Sequence, residues 1–412
     1  MDILNSRAAL KAIARFWMAA MTTRSPIPTA KAAESGVNKT TAAEPCSRYG
    51  PQGATGAMAA VIQRTPRTMG SVGDDQSDTG CGSLAGGLEN FRSVAMAWLF
   101  AVIVATNCST AFAQTASDAA VQGQWFTGSL EAPSPSLSKY GALLLKSYAI
   151  YTNDTGSYDP SGDRRSSLDD TNQVATKIVM KYALTDRVTF QAIPSVAHAW
   201  NSQSSATGLN DLPVELEYRF NEENIHNGMP SVTASLGANL PIARFDRLST
   251  SIGGFGTGAW GLKQGLLLQS LFDTPGDHPV RLRLYATALE PLQDVSVQDA
   301  SVYHSSSGFV GHARPGFASQ YGLGGGYCLD QRWVMAIDVV RNNSTGFLLT
   351  GLDAAGDSHP VRWVSSSSLV LASAVEYNWS GHLGVIAGVE YSAAGRNTTS
   401  FYAPQVALSM SF

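Results

Sequence analysis

The chain has 412 residues, with 28 Lys and Arg against 32 Asp and Glu, a net charge of −4 and a pI of 6.0. That balance excludes the basic surface a nucleic-acid binder needs. Charged residues make up only 15% of the chain, yet the mean hydropathy is −0.04, which excludes a bundle of membrane helices. Low charge without high hydropathy is what a transmembrane β-barrel produces, because lipid-facing and interior-facing residues alternate and average out. A secreted soluble all-β protein has similar bulk values, so patterning must decide.

Residues 1–90 are rich in Ala, Thr, Ser and Gly, with Pro26, Pro28, Pro45, Pro51 and Pro66 scattered through them. No sustained period appears beyond a short helical stretch near Ala8–Met21. The segment is either a mis-assigned start, with the true one near Met69, or a disordered extension; it is excluded from the fold in both cases.

Residues 91–113 read as a secretory signal peptide. Arg92 supplies the positive flank, and Val94–Val104 (VAMAWLFAVIV) is an uncharged apolar core, too short to cross a bilayer of ~30 Å as a helix. Ala111-Phe112-Ala113 forms an A-x-A site, so cleavage is expected between Ala113 and Gln114. Cys108 invites a lipoprotein reading, but Asn107 stands where a small residue is needed. Of the four cysteines, Cys46, Cys81, Cys108 and Cys328, only Cys328 survives that cleavage, so no internal disulfide forms. Residues 114–140 hold Trp125 and Phe126 ahead of the first strand and read as a periplasmic segment or a short plug.

From 141 to 412 a period of two dominates. Val174, Ile178, Met180, Tyr182 and Leu184 oppose Lys177 and Lys181. Leu212, Val214, Leu216, Tyr218 and Phe220 oppose Glu215, Glu217 and Arg219. Val280, Leu282 and Leu284 oppose Arg281 and Arg283; Trp333, Met335, Ile337 and Val339 oppose Asp338. Leu369, Leu371, Val375 and Tyr377 alternate with Glu376, and Leu383, Val385, Ala387, Val389 and Tyr391 with Glu390. The last strand places Tyr402, Val406, Leu408, Met410 and Phe412 on one face and Ala403, Gln405, Ala407, Ser409 and Ser411 on the other. Ending on an aromatic residue is the pattern of a barrel-closing strand. The strands near Gly141 and Gly258 are the faintest.

The connections alternate in length. Short links follow Leu184, Cys328 and Tyr377, and medium ones occupy 221–230 and 273–279. Polar links of 153–171, 201–210, 241–256, 290–315, 342–366 and 393–400 lie between them. Short turns on one side and long loops on the other match an antiparallel up-and-down barrel of about twelve strands.

Residues 208–242 (GLNDLPVELEYRFNEENIHNGMPSVTASLGANLPI) resemble the putative meta-pathway of phenol degradation family of outer-membrane barrels. The match is carried by Gly208-Leu209-Asn210-Asp211, a strand ending Tyr218-Arg219-Phe220, and a second strand ending in Leu240-Pro241. The usual Pro-Thr-Gly appears here as Pro241-Ile242-Ala243. The resemblance implies a transporter-like barrel for aromatic compounds in the bacterial outer membrane and identifies no binding residues.

Lys177, Lys181, Glu215, Glu217, Arg219, Arg281, Arg283, Asp338, Glu376 and Glu390 are therefore expected to face the lumen. They either line a solute path or form ion-pair ladders that fill the interior. Gly322, Gly324, Gly325 and Gly326 hint at a phosphate loop, but no helix follows; curvature or close packing of a plug explains them better. Tryptophan and tyrosine near strand ends fit interfacial girdles. A lipid-active hydrolase requires a nucleophile beside a base, and neither His198 near Ser195 nor His304 before Ser305 makes a convincing pair. The expectation is a passive channel for small, aromatic or hydrophobic solutes, not an enzyme, with no cofactor or metal. Its partners would be outer-membrane lipid and the barrel-assembly machinery. The alternatives are a lipid hydrolase and a structural or adhesive barrel with binding loops.

Overall fold

A computed structural model describes residues 123–166, 171–224, 229–272, 274, 278–358 and 360–412. The extension at 1–90 and the signal peptide with its Ala113–Gln114 site lie outside the described residues. Among the described residues no helix is long and apolar enough to cross a membrane; the crossings are strands.

Twelve strands form the wall: β1 (Leu143–Tyr158), β2 (Asn172–Ala183), β3 (Val188–Ala192 and Ser195–Trp200), β4 (Ser205–Leu209 and Leu212–Asn221), β5 (Ser231–Leu240), β6 (Gly261–Phe272), β7 (Val280–Pro291), β8 (Ala318–Cys328), β9 (Trp333–Ser344), β10 (Ser366–Ser380), β11 (Leu383–Arg396) and β12 (Thr398–Ser411). β3 breaks at Ile193-Pro194, where proline has no N–H for the ladder. β4 breaks at Asn210-Asp211. Each strand pairs antiparallel with its neighbour in sequence.

β12 returns to β1, with Leu144 opposite Ser411, Ile150 opposite Gln405 and Tyr158 opposite Thr398. The Phe412 N–H donates to Leu143 O at 2.8 Å, and Phe412 O accepts from Leu143 N–H at 3.1 Å. This pairing closes the sheet, so no strand edge is left to face lipid with unsatisfied backbone groups.

The alternation settles which face is which. Leu216, Leu236, Leu282, Leu323, Met335, Ile337, Val375 and Leu408 point outward and are exposed. The intervening Glu215, Glu217, Arg281, Arg283, Asp338 and Glu376 are buried inside. A soluble barrel would reverse this. Tyr182, Tyr218, Phe220, Tyr327 and Phe412 are exposed at one end of the apolar belt, and Trp260, Tyr321, Tyr391 and Tyr402 toward the other. These are the interfacial girdles of an outer-membrane barrel. The short turns and both ends of the barrel chain share the periplasmic side.

The extracellular side differs from the sequence expectation in two respects. The expected links at 201–210 and 393–400 are largely strand: β3 and β4 are joined by residues 201–204, and β11 and β12 by Asn397 alone, at φ 50°. Beyond the membrane both faces of a strand meet water, so the apolar row ends while backbone pairing continues. The expected links at 290–315 and 342–366 are also ordered. Within them Val295–Gln298, Val310–Arg314, Leu348–Leu352 and Val361–Arg362 form a separate four-stranded antiparallel sheet. Its inner face packs Val295, Val297, Ala313 and Leu349 with Leu248, Val302, Tyr303 and Phe309 into a second apolar core.

Asp211 holds loop 241–260 to the barrel rim. Its carboxylate accepts from Thr257 N–H (2.9 Å), Thr257 O–H (3.1 Å), Ala243 N–H (3.2 Å) and Asn239 Nδ2 (3.4 Å). A Cβ on Gly208 would lie 2.5 Å from the Phe255 ring, so glycine there makes room for the loop. The Gly-Leu-Asn-Asp segment is thus a loop-docking element.

Candidate functional site

The lumen is occupied from the periplasmic side by residues 124–140. Gln124 Nε2 donates to Asp330 O and Gln331 O in the β8–β9 turn. The chain then rises to Leu130–Glu131 and descends to Tyr140, whose N–H donates to Asp186 in the β2–β3 turn at 2.8 Å. Pro133 and Pro135 remove two backbone donors from this excursion. The segment cannot join the closed sheet, so its remaining polar groups must find side chains.

The wall supplies them. Glu376 Oε2 accepts Thr127 N–H (2.7 Å) and Gly128 N–H (3.1 Å), while Glu376 Oε1 pairs with Arg281 Nη2 (2.9 Å). Asp338 Oδ2 accepts Glu131 N–H at 3.1 Å. Lys146 Nζ donates to Ser129 O at 2.8 Å, and Lys181 Nζ to Ser134 O at 2.6 Å. Arg283 Nη1 reaches Ala132 O at 3.4 Å, and Leu137 N–H donates to Thr189 Oγ1 at 2.9 Å. Gly324 gives clearance: a Cβ there would stand 2.8 Å from Ala132 Cβ.

All ten expected lumen residues are buried. They divide by position rather than acting as one ladder. Lys181 pairs with Glu217 (2.7 Å), and Glu215 with Lys263 (2.6 Å), so the β2, β4 and β6 wall is neutralised within itself. Lys177 lies 4.3 Å from the Tyr148 ring centroid. Glu390 Oε1 accepts from Gln405 Nε2 across β11 and β12. Arg219 stands at the periplasmic rim, donating to Asp186 O at 2.6 Å and pairing with the exposed Glu222.

Other lumen residues were not recognised in the sequence. Lys146 and Tyr148 sit in a strand opened by three leucines, and Lys263 in a strand containing Leu266–Leu268; both runs hide the alternation. Parity along β12 puts Gln405 on the face opposite Tyr402 and Val406, but nothing in the sequence links it to Glu390.

The wall of β1 and β9–β12 presents an apolar patch to the insert beside its charges Asp338, Glu376 and Glu390. Tyr148, Ile150, Ala336, Ala372, Ile386, Ala403 and Ala407 cluster around Leu130. Two cavities flank the inserted segment. One, of about 100 Å³, lies among Lys146, Lys177, Lys181, Glu215, Glu217 and Lys263. The other, of about 430 Å³, lies between the limbs of the segment and the wall of β6, β7 and β12.

The alternative catalytic residues are placed elsewhere. His198 faces outward, hydrogen-bonds Thr207 Oγ1 at 2.7 Å and stacks on Trp200, while Ser195 Oγ accepts from Asn210. His304 lies in the loop core 4.3 Å from the Trp363 ring, and Ser305 O–H donates to Ser301 Oγ at 2.7 Å. Cys328 is a buried free thiol.

No protein-family model matches the sequence, and no curated protein sequence matches it significantly. Among solved structures, the COG4313 outer membrane channel from Pseudomonas putida F1 aligns with a TM-score of 0.49 at 16% identity, over 68% of this chain and 97% of that one. The transport unit of the autotransporter AIDA-I from Escherichia coli aligns at 0.39 and 11%, over 75% and 97%. A TodX monoaromatic hydrocarbon channel mutant aligns at 0.36 and 12%, over 70% and 94%. The barrel assignment stands on the pairing register itself.

Proposed function

We propose that this chain is a passive outer-membrane channel for small solutes with an aromatic or hydrophobic part, of the meta-pathway of phenol degradation type. The observation that carries this is a lumen lined by both apolar and charged groups. An apolar patch around Leu130, Tyr148 and Ile386 lies among charges that are largely paired. Such a lining accommodates an apolar body while leaving polar groups for its hydrated end. The inserted segment is the gate: the path widens when residues 124–135 shift within the lumen. A lipid hydrolase receives no support from the placement of His198 and His304.

The test is conductance in planar bilayers together with uptake into liposomes of benzyl alcohol and of a sugar of similar size. Measurable conductance with faster entry of benzyl alcohol is expected. A refolded, heat-modifiable barrel that neither conducts nor admits either solute refutes the channel reading.

A further inference from the structure

The larger cavity holds two buried arginines that are satisfied in different ways. Arg281 and Arg283 project into it from β7, both at most 5% exposed. Arg281 has a carboxylate partner in Glu376 and lies 4.2 Å from the Phe126 ring centroid. Both Glu376 oxygens are already engaged, by Arg281 and by the two backbone N–H groups of the insert.

Arg283 is held differently. Its Nε donates to Gln269 Oε1 at 2.8 Å and its Nη1 to Ala132 O at 3.4 Å, both neutral acceptors. Among the described ion pairs, none joins Arg283 to a carboxylate. Lys146 nearby likewise donates to a neutral carbonyl, that of Ser129. A Cβ on Gly128 would lie 3.0 Å from Lys146 Nζ and 3.8 Å from Arg283 Nη1, so the two cations are close neighbours. One carboxylate, Glu223, is on the cavity wall; it stands on the periplasmic turn, and burial pushes its carboxyl above the usual carboxylate range. Asp338 and Glu376 act on Arg283 from a distance, but its described hydrogen bonds go to neutral acceptors only, an arrangement without a paired carboxylate. Beside it, Phe126, Leu144 and Leu271 supply an apolar surface.

We infer that this cavity is a binding site for a small aromatic carboxylate, with the carboxylate on Arg283 and the ring against Phe126, Leu144 and Leu271. The inference rests on the channel reading and narrows it from hydrophobic solutes in general to organic anions. The 430 Å³ volume accommodates a single substituted ring. Arg283, lying against Ala132, also couples an arriving carboxylate to the insert. The anion draws Arg283 from the Ala132 carbonyl and loosens one tether of the gate.

The experiment is calorimetric titration of the full mature barrel in detergent with benzoate, benzyl alcohol and acetate, for wild type, Arg283→Gln and Arg283→Lys. Wild type should bind benzoate at least about tenfold more tightly than either comparator, since neither alone offers both ring and charge. Arg283→Gln should lose about tenfold or more, and Arg283→Lys should retain part of the affinity while losing the paired donor geometry. Equal affinity for benzoate and benzyl alcohol overturns the carboxylate assignment, and equal affinity for benzoate and acetate overturns the ring contacts. If Arg283→Gln fails to fold, the wild-type ligand preferences and Arg283→Lys decide. Conductance of the same wild-type samples separates the two readings. Conduction without benzoate preference refutes the site alone, and benzoate preference without conduction refutes the channel alone.

Discussion

Removing the Asp211 carboxylate should release loop 241–260 while leaving the barrel intact. In Asp211→Ala the N–H groups of Ala243 and Thr257 and the Thr257 hydroxyl lose their acceptor, in places where the neighbouring chain shuts out water. Hydrogen bonds to a charged group contribute about 1.5–3 kcal/mol each, and the desolvation cost of the carboxylate offsets part of the sum. A net loss of about 2–3 kcal/mol raises the open population of the loop by a factor of about 30–150. Arg244 and Arg247 are exposed trypsin sites within this loop. Digestion of the unboiled protein, followed by mass spectrometry, should show cleavage at these two positions accelerated by that factor, with the folded gel mobility retained. Asp211→Asn keeps one acceptor oxygen and should stay within about tenfold of wild type. Cleavage of Asp211→Ala at the wild-type rate, in a folded barrel, would refute the anchoring role.

The same residue sets a pH dependence. Burial raises the Asp211 carboxyl above its ordinary range, against the pull of four donors. A raised value means the closed loop binds the proton more tightly than the open one, so closure strengthens as pH falls through that value and is weakest near neutrality. Hydrogen exchange of the Thr257 amide, corrected for intrinsic rate, should show protection rising on acidification in wild type and flat in Asp211→Asn; protection falling with acid contradicts this. Glu376→Ala strands the buried Arg281 and frees the Thr127 and Gly128 amides, a loss of about 3–5 kcal/mol. The temperature of the gel-mobility shift should drop and open-channel conductance should rise. Gly324→Val drives a side chain into Asp338 of the wall and Ala132 of the insert, an overpacking cost of about 1–3 kcal/mol that moving the insert relieves in part. Conductance should increase in a barrel destabilised by no more than that, and unchanged conductance would count against the insert as the gate. Deleting Phe412 removes its two backbone bonds to Leu143 and the terminal aromatic. The heat-modifiable fraction in outer membranes should fall severalfold, as read on unboiled gels.

The fold was legible where lipid imposes a pattern. Within the belt outward residues are predominantly apolar, and charges are confined to the inward face. Met335, Ile337 and Val339 against Asp338, and Leu216 and Tyr218 against Glu215 and Glu217, therefore declared both strand and face. Strand number, the short periplasmic turns and the closing strand at Phe412 follow from the same constraint. Outside the belt the constraint lapses. Ser205–Leu209 and the extracellular halves of β11 and β12 carry no apolar row because water lies on both sides, and they read as links. The loop sheet was hidden for another reason: its strands are only two to five residues long, and its two hairpins meet through Val310–Arg314 and Leu348–Leu352, with two barrel strands between them in the chain.

By itself, the sequence determined a twelve-stranded wall and the face of the charges that alternate with an apolar row, because both depend on parity along single strands; Lys146 and Lys263, beside leucine runs, escape it. Only the tertiary structure decided which charges meet: Lys181 with Glu217, Lys263 with Glu215, Arg281 with Glu376, and Arg283 with neutral acceptors. Those pairings depend on register between strands up to 95 residues apart and on the course of residues 124–140, which have no period to read. The insert is legible only through the wall that receives it, since its backbone groups are satisfied by Glu376, Asp338, Lys146 and Lys181 rather than by any partner nearby in the chain.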